Sequence, residues 1–222
     1  MLIPGVSGGT VAVYLGIYNK IISSVAEIRE NIKKNIFFLL LLLIGAALSV
    51  IMLSKPFDYI IERYGFLIRS IVGILFFVLT LIKIFYKNIF DLKRILLVSS
   101  GVLFPALLSS IPGNAIHINA NNSFLIFIIS VFLSIALILP GISYSYCLLL
   151  FGLYQKVLKA IYCFDIIFIL NISIGTFIGI LLFTKIINLI MIDHSDEFEC
   201  CINGFVLFSS IQILPINYIL SL

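Results

Sequence analysis

Apolar runs of bilayer length, separated by short polar stretches, set the pattern of this chain. Ile36–Leu53, Phe66–Ile82, Ile95–Ile111, Ile166–Phe183 and Cys201–Leu220 each read as a membrane-crossing helix, because about 20 apolar residues span the hydrocarbon core. Phe124–Leu139 is apolar for 16 residues, meets Pro140-Gly141, and an apolar run resumes through Leu153. Val6–Ile22 begins just after Pro4-Gly5. A run that stops at Pro-Gly near membrane depth is either a kinked span or a re-entrant hairpin. Irregular backbone at that depth survives only inside protein or beside a wet cavity. Phe124–Leu139 is marginal as a crossing, so the pattern predicts a helix that enters, breaks at Pro140-Gly141 and returns. A proline-kinked span is the alternative.

Composition agrees with this pattern. Of 222 residues, 62% are hydrophobic and 11% are charged, against about 25% charged in soluble domains. That excludes a cytosolic globule, a disordered tail, a nucleic-acid-binding module and a disulfide-stapled scaffold. The net charge of +4 resides in loops, where basic residues report orientation. With both Pro-Gly segments re-entrant, one side of the membrane collects nine of the fourteen Lys and Arg, among them Lys33, Lys34, Lys93 and Arg94. Lys55, Arg63, Arg69, Lys156 and Lys159 fall on the other. The richer side is expected to be cytoplasmic. The four cysteines read as small core residues, and a cleavable signal sequence is not expected, because neither a charged region nor a small-residue cleavage site is seen before the first apolar run.

The most informative feature is an internal duplication. Pro4-Gly5-Val6-Ser7-Gly8-Gly9-Thr10, followed by Gly16-Ile17-Tyr18-Asn19-Lys20, recurs as Pro140-Gly141-Ile142-Ser143-Tyr144-Ser145-Tyr146, followed by Gly152-Leu153-Tyr154-Gln155-Lys156. Six of 17 aligned positions are identical. Downstream, Ile44-Gly45 through Ser54-Lys55 aligns with Ile174-Gly175 through Thr184-Lys185. Three crossings between the copies place the second break in the opposite face of the bilayer. That is the inverted-topology arrangement of secondary transporters, whose broken helices meet near the midplane. The expected fold is therefore an all-α polytopic membrane protein with an inverted-topology internal repeat and two re-entrant helical hairpins. It forms a single transmembrane domain over residues 1–222, with repeats at about 1–86 and 123–222.

These paired motifs resemble the bacterial and archaeal polyprenyl-phosphate translocase family across nearly the whole chain. The resemblance implies a flippase that returns undecaprenyl phosphate from the outer to the inner leaflet of the cytoplasmic membrane by alternating access. It implies no enzymatic activity. In two places this sequence departs from the family. A further apolar arm is expected before the first motif, whereas Met1 lies three residues from Pro4. The second motif normally reads closer to PGISGS, whereas Tyr144 and Tyr146 flank Ser145 here.

The residue chemistry suits a lipid phosphate. Each Pro-Gly break opens a fresh helix, whose first N–H groups lack internal partners and whose dipole is positive at that end. Such ends bind phosphate. Gly5, Gly8 and Gly9 would admit an anion to the backbone while Ser7 and Thr10 donate, and Gly141, Ser143 and Ser145 would do so from the other side. The competing reading is N-capping for the serines and close helix packing for the glycines. A phosphate within a bilayer also calls for a cation. Arg69 lies within a span, Lys55 and Lys185 are duplicated, and Lys20 and Lys156 form a second such pair; all could instead snorkel to headgroups. Tyr18 and Tyr154 read as interfacial anchors, and His117 and His194 as residues of solvated loops. No metal site or cofactor is expected. Coupling to a proton or sodium gradient and assembly as a homo-oligomer stay open. The other functional classes are a small-anion transporter or channel, using the same helix ends, and a lipid-phosphate-processing enzyme. The enzyme would need an acid/base or metal cluster, which only the His194 loop offers.

Overall fold

The computed structural model describes residues 7–86, 91–113 and 122–215, apart from the side chains at 50, 54, 55, 57 and 58. Pro4, Gly5, the Lys55 side chain, His117 and the last residues of the 201–220 run therefore lie outside the described residues. Among those described, every regular element is a helix. In chain order these are α1 (Gly8–Tyr14), α2 (Tyr18–Ala26), α3 (Ile32–Tyr86), α4 (Leu92–Ser110), α5 (Ser123–Leu133), α6 (Ile135–Ile138), α7 (Tyr144–Leu150), α8 (Tyr154–Tyr162), α9 (Ile166–Asp193) and α10 (Ser195–Ile213). A helix satisfies its backbone within one segment, which apolar runs in lipid require.

Four stretches are long and apolar enough to cross a membrane: Ile32–Leu53, Tyr59–Tyr86, Leu92–Ser110 and Ile166–Asp193. Their large hydrophobic side chains, such as Leu43, Ile51, Ile71, Leu103 and Phe177, lie mostly exposed, as they do when lipid rather than protein is the solvent. α3 would be roughly 80 Å long if straight. It contains Pro56 and a non-helical Tyr64 (φ −127°, ψ 19°), so it is two helices joined at a kink. The polar connection expected around Lys55 is thus helical backbone.

Two sequence-based boundaries change. Val6–Ile22 is not one segment: it splits into α1 and α2 at Gly16, whose φ is +68°. The run read as a span over Cys201–Leu220 starts earlier, in the acidic stretch at Ser195, and its helix ends at Ile213. α10 is the innermost element, with Asn203, Ser209 and Ser210 buried beside Ile202, Phe205 and Val206. Its apolar residues face protein on several sides. Hydropathy does not distinguish that environment from lipid.

The core gathers around the duplicated segments: Ala12, Tyr18, Ile138, Ile142, Leu148 and Leu153 belong to one cluster with Phe205 and Val206 of α10. Glycines bring the surrounding helices close to one another. A Cβ on Gly101 of α4 would lie 2.3 Å from the Cys201 carbonyl oxygen of α10, and one on Gly179 of α9 would lie 2.3 Å from that of Val131 in α5. Close backbone approach through small residues is how helices associate where lipid supplies no hydrophobic drive.

Candidate functional site

The two copies of the motif fold alike. Ser7 and Ser143 are N-caps, accepting from Thr10 N–H at 3.1 Å and Tyr146 N–H at 3.3 Å. Each opens a seven-residue helix, α1 or α7. Each helix ends in the same turn, at Gly16 (φ +68°) and Gly152 (φ +64°). In that turn Ile17 N–H donates to the Ala12 carbonyl at 3.0 Å, and Leu153 N–H to the Leu148 carbonyl at 2.9 Å. A nine-residue helix follows in both cases, α2 or α8. The N-capping expected of the serines is present, and Ser7 also does more.

The start of α1 meets the break of the second copy. Gly141 N–H is shared between the Ser7 and Thr10 hydroxyl oxygens, each 3.2 Å away. Those two hydroxyls are 2.8 Å apart. Ser7, Thr10 and Gly141 are all buried. We refer to this arrangement as the clasp. Two glycines permit it: a Cβ on Gly9 would come within 3.2 Å of Pro140 Cα, and one on Gly141 within 2.5 Å of the Phe205 carbonyl oxygen. Gly141 also has φ +80°, a conformation that L side chains rarely adopt. Gly8 is exposed and faces open space.

Beside the clasp, a cavity of about 550 Å³ lies among α4, α7, α8 and α10. Gly141, Ser143 and Ser145 line it, together with Tyr146, Tyr154 and Gln212. The two bulky residues of the second motif, Tyr144 and Tyr146, reach with their hydroxyls to neighbouring segments. The Tyr144 hydroxyl lies 3.2 Å from that of Thr176 on α9. The Tyr146 hydroxyl donates to the Ile111 carbonyl at 2.5 Å and lies 2.9 Å from that of Ser109 at the end of α4. The expected site residues thus divide. Ser7, Gly9 and Thr10 form the clasp, Ser143 and Ser145 face the cavity, and Gly141 belongs to both. Apolar Leu108 and Phe208 complete the wall, so the cavity offers hydroxyl and amide donors on one side and hydrocarbon on the other.

The candidate cations are scattered. Lys185 is exposed on α9 and does not line this cavity. Lys20 sits 4.4 Å over the Phe38 ring and Lys156 5.3 Å over that of Phe168, so this duplicated pair stacks on the helices that follow. α3 runs antiparallel to α10, with Lys83 near Ser195 and Gly73 against Leu214. Arg69, one turn before Gly73, therefore lies at the end of α10 that carries Gln212. It is half-buried, and its buried Nε has no partner.

At the opposite end of α10, Lys93 pairs with Glu197 at 3.0 Å and Arg94 with Asp196 at 3.6 Å. The Lys93 hydrogen bond is the main reason the Glu197 carboxyl lies below the usual carboxylate range. A lowered pKa makes the pair's contribution present at neutral pH and lost as pH falls through that value. Its solvent exposure keeps the effect small. Near His194, Asp196 and Glu197 are thus tied to basic residues. Among the described residues no group of three His, Cys, Asp or Glu converges on a metal-sized site.

Tyr154, Tyr146 and Gln212 were missed as cavity residues. For Tyr154 a signal existed: it is part of the duplicated G-[IL]-Y. Its partner Tyr18, expected to be an interfacial anchor, is only 5% exposed and stacks on Phe198.

The profile of the undecaprenyl phosphate translocase-like family matches residues 1–222. Two proteins named polyprenyl-phosphate transporter are similar to the chain. That of Vibrio cholerae is 29% identical, covering 96% of this chain and 73% of its own length. That of Staphylococcus aureus is 31% identical, covering 96% and 81%. No solved structure matches. These are names of transporters rather than enzymes, and a match spanning the whole chain shows that it belongs to the undecaprenyl phosphate translocase-like family.

Proposed function

We propose that this membrane protein carries polyprenyl phosphate across the cytoplasmic membrane, from the outer to the inner leaflet, by alternating access around the clasp. In this reading the two copies are inverted repeats, and each Pro-Gly break is the tip of a re-entrant hairpin. One observation carries the proposal: the Gly141 N–H shared by Ser7 and Thr10, at the edge of a cavity lined by hydroxyls and hydrocarbon.

Relative magnitudes explain how such a clasp would work. A neutral hydrogen bond stabilises by about 0.5–1.5 kcal/mol net, whereas one to a charged group contributes about 1.5–3 kcal/mol. The clasp holds Gly141 with two neutral bonds, so it is stable without ligand. A phosphate in the cavity, already engaged by Ser143 and Ser145, competes for Gly141 N–H and for the Ser7 and Thr10 hydroxyls with stronger bonds. The ligand thus favours the open state because it binds that state better, as a ligand-driven population shift requires. The apolar wall at Leu108 and Phe208 gives the acyl chain somewhere to lie. Arg69, at the same end of α10, supplies attraction for the anion on its way in.

The direct test is a transport assay in proteoliposomes with a fluorescent short-chain polyprenyl phosphate. Replacing Ser143 and Ser145 together by Ala removes two hydroxyls from the cavity. The double variant is expected to insert normally and transport at least about tenfold more slowly, the loss of roughly one charge-assisted bond. Wild-type rates would overturn the assignment. A variant that keeps small-anion flux but loses lipid movement, or the reverse, separates lipid transport from an anion channel.

A further inference from the structure

The molecule has a second cavity, of about 220 Å³, at the other end of α1. Gly16, Tyr18, Asn19, Lys83, Ser195 and Asn203 are among the residues that line it. Two of these are deeply buried and have unsatisfied polar atoms: the Tyr18 hydroxyl and the Asn203 Nδ2 have no hydrogen-bond partner, at residue exposures of 5% and 2%. A buried polar group left unpaired costs about 1–3 kcal/mol, and native structures rarely carry two in one place without something to satisfy them.

Repeat geometry gives the cavity a meaning. Gly16 and Tyr18 are the counterparts of Gly152 and Tyr154, and Tyr154 lines the larger cavity. Each copy thus places the tyrosine of its G-[IL]-Y segment in a cavity, one at each end of α10: Ser195 and Phe198 border the smaller, Phe208 and Gln212 the larger.

The chemistry points to an anion. An amide nitrogen and a phenol hydroxyl are donors, and Lys83 adds positive charge to the wall. A cation would meet the Lys83 ammonium, while Asn19 and Ser195 add polar groups that can donate to an anion. Glu199 also borders the cavity but has an interaction of its own. The space is several times one water's share of liquid volume, roughly 30 Å³, enough for a phosphoryl group. We infer that this cavity is a second phosphate site, which takes a phosphomonoester headgroup or inorganic phosphate through Tyr18, Asn203 and Lys83. Its donor set stands on its own atoms; its role as the second station of transport rests on the function proposed above.

The test uses the full-length protein in nanodiscs with Ser143 and Ser145 replaced by Ala, which silences the larger cavity. Inorganic phosphate and geranyl phosphate are titrated separately by calorimetry into this parent and into its Tyr18→Phe, Asn203→Leu and Lys83→Gln derivatives. Each derivative is expected to weaken binding by about tenfold or more, as loss of a bond to a charged ligand implies. Tyr18→Phe and Asn203→Leu should leave the melting temperature unchanged or raised, since each removes an unpaired buried atom. A purely structural role would lower the melting temperature and leave affinity alone. Competition between the two ligands supports a site for the shared phosphoryl group, binding of geranyl phosphate alone a headgroup site, and binding of inorganic phosphate alone a free-anion site. No binding by the parent, or parental affinity in all three derivatives, overturns the inference. If Ser143 and Ser145 prove essential for transport while Tyr18, Asn203 and Lys83 do not affect binding, the second site fails and the transport proposal stands. The opposite pattern keeps the second site and removes the transport role of the first.

Discussion

Gly141→Ala should abolish transport and strongly destabilise the purified protein, whereas Gly8→Ala should do neither. Both replace a glycine of the duplicated motif by the smallest side chain, so composition gives no reason for a difference. Geometry does. Gly141 has φ +80°, and its added Cβ would sit 2.5 Å from the Phe205 carbonyl oxygen and 3.1 Å from its carbon. Both atoms are α10 backbone and cannot rotate away. Strain of that kind costs about 1–3 kcal/mol, and the overlap with buried backbone adds a cost of similar size. The Gly141 N–H would also be displaced from Ser7 and Thr10. At Gly8, nothing lies within 4 Å of the added carbon. Melting temperature in detergent and transport in proteoliposomes check the pair of variants. A Gly141→Ala protein as stable and active as wild type would show that the break does not pack against α10 as described.

The second large effect concerns the clasp. Replacing Ser7 by Ala and Thr10 by Val removes both acceptors of Gly141 N–H and leaves that buried donor unpaired, a cost of about 1–3 kcal/mol to the clasped state. It also removes the hydroxyls proposed to meet the phosphate when the clasp opens. Transport should therefore fall by well over tenfold. Ser7 is in addition the N-cap of α1, and cap loss alone costs about 1 kcal/mol. Ser7→Asn keeps a capping oxygen and separates the two roles: it should retain α1 while changing the clasp. Ser143→Asn is the matching control for the cap alone, compared by melting temperature, because Ser143 caps α7 without contributing a hydrogen bond to the clasp but also lines the cavity. Initial transport rates, normalised to inserted protein, give the comparison. Equal activity of the Ser7→Ala/Thr10→Val protein and wild type would remove the clasp from the mechanism.

Much of this was legible in the sequence because a duplication repeats backbone instructions as well as residues. Serine after Pro-Gly announced a cap, and the cap occurs in both copies; the turns at Gly16 and Gly152 were not read, and Val6–Ile22 looked like one segment. A meeting of the copies was expected from the duplication, but the atoms that make it were not legible. No local pattern says that Gly141 N–H reaches residues 134 and 131 positions away. The first motif was expected to hold its hydroxyls open to a ligand; instead Ser7 and Thr10 are bonded to the second break. Tyr18 looked like an anchor because tyrosine favours interfaces. Its burial follows from the tertiary packing of α2 on α9 and α10, which spacing does not reveal. The 201–220 run looked like a span because lipid-facing and protein-facing helices are equally apolar, and only Asn203, Ser209 and Ser210 hinted that α10 lies inside. The lysine pair Lys20 and Lys156 was rightly seen as duplicated, but the stacking on Phe38 and Phe168 depends on where α3 and α9 lie.

In the proposed cycle the start of α1 and the second break touch in one state and must part for the lipid to move. Cysteines at positions 9 and 140, in a protein whose four native cysteines are replaced, cross-link α1 to the second break, where a Gly9 Cβ would lie 3.2 Å from Pro140 Cα, and the two single-cysteine proteins show what either substitution costs by itself. Lipid movement in proteoliposomes is then measured before and after oxidation. The account predicts transport in the reduced protein, arrest on oxidation and recovery with reductant. Undiminished transport with the disulfide fully formed would contradict it.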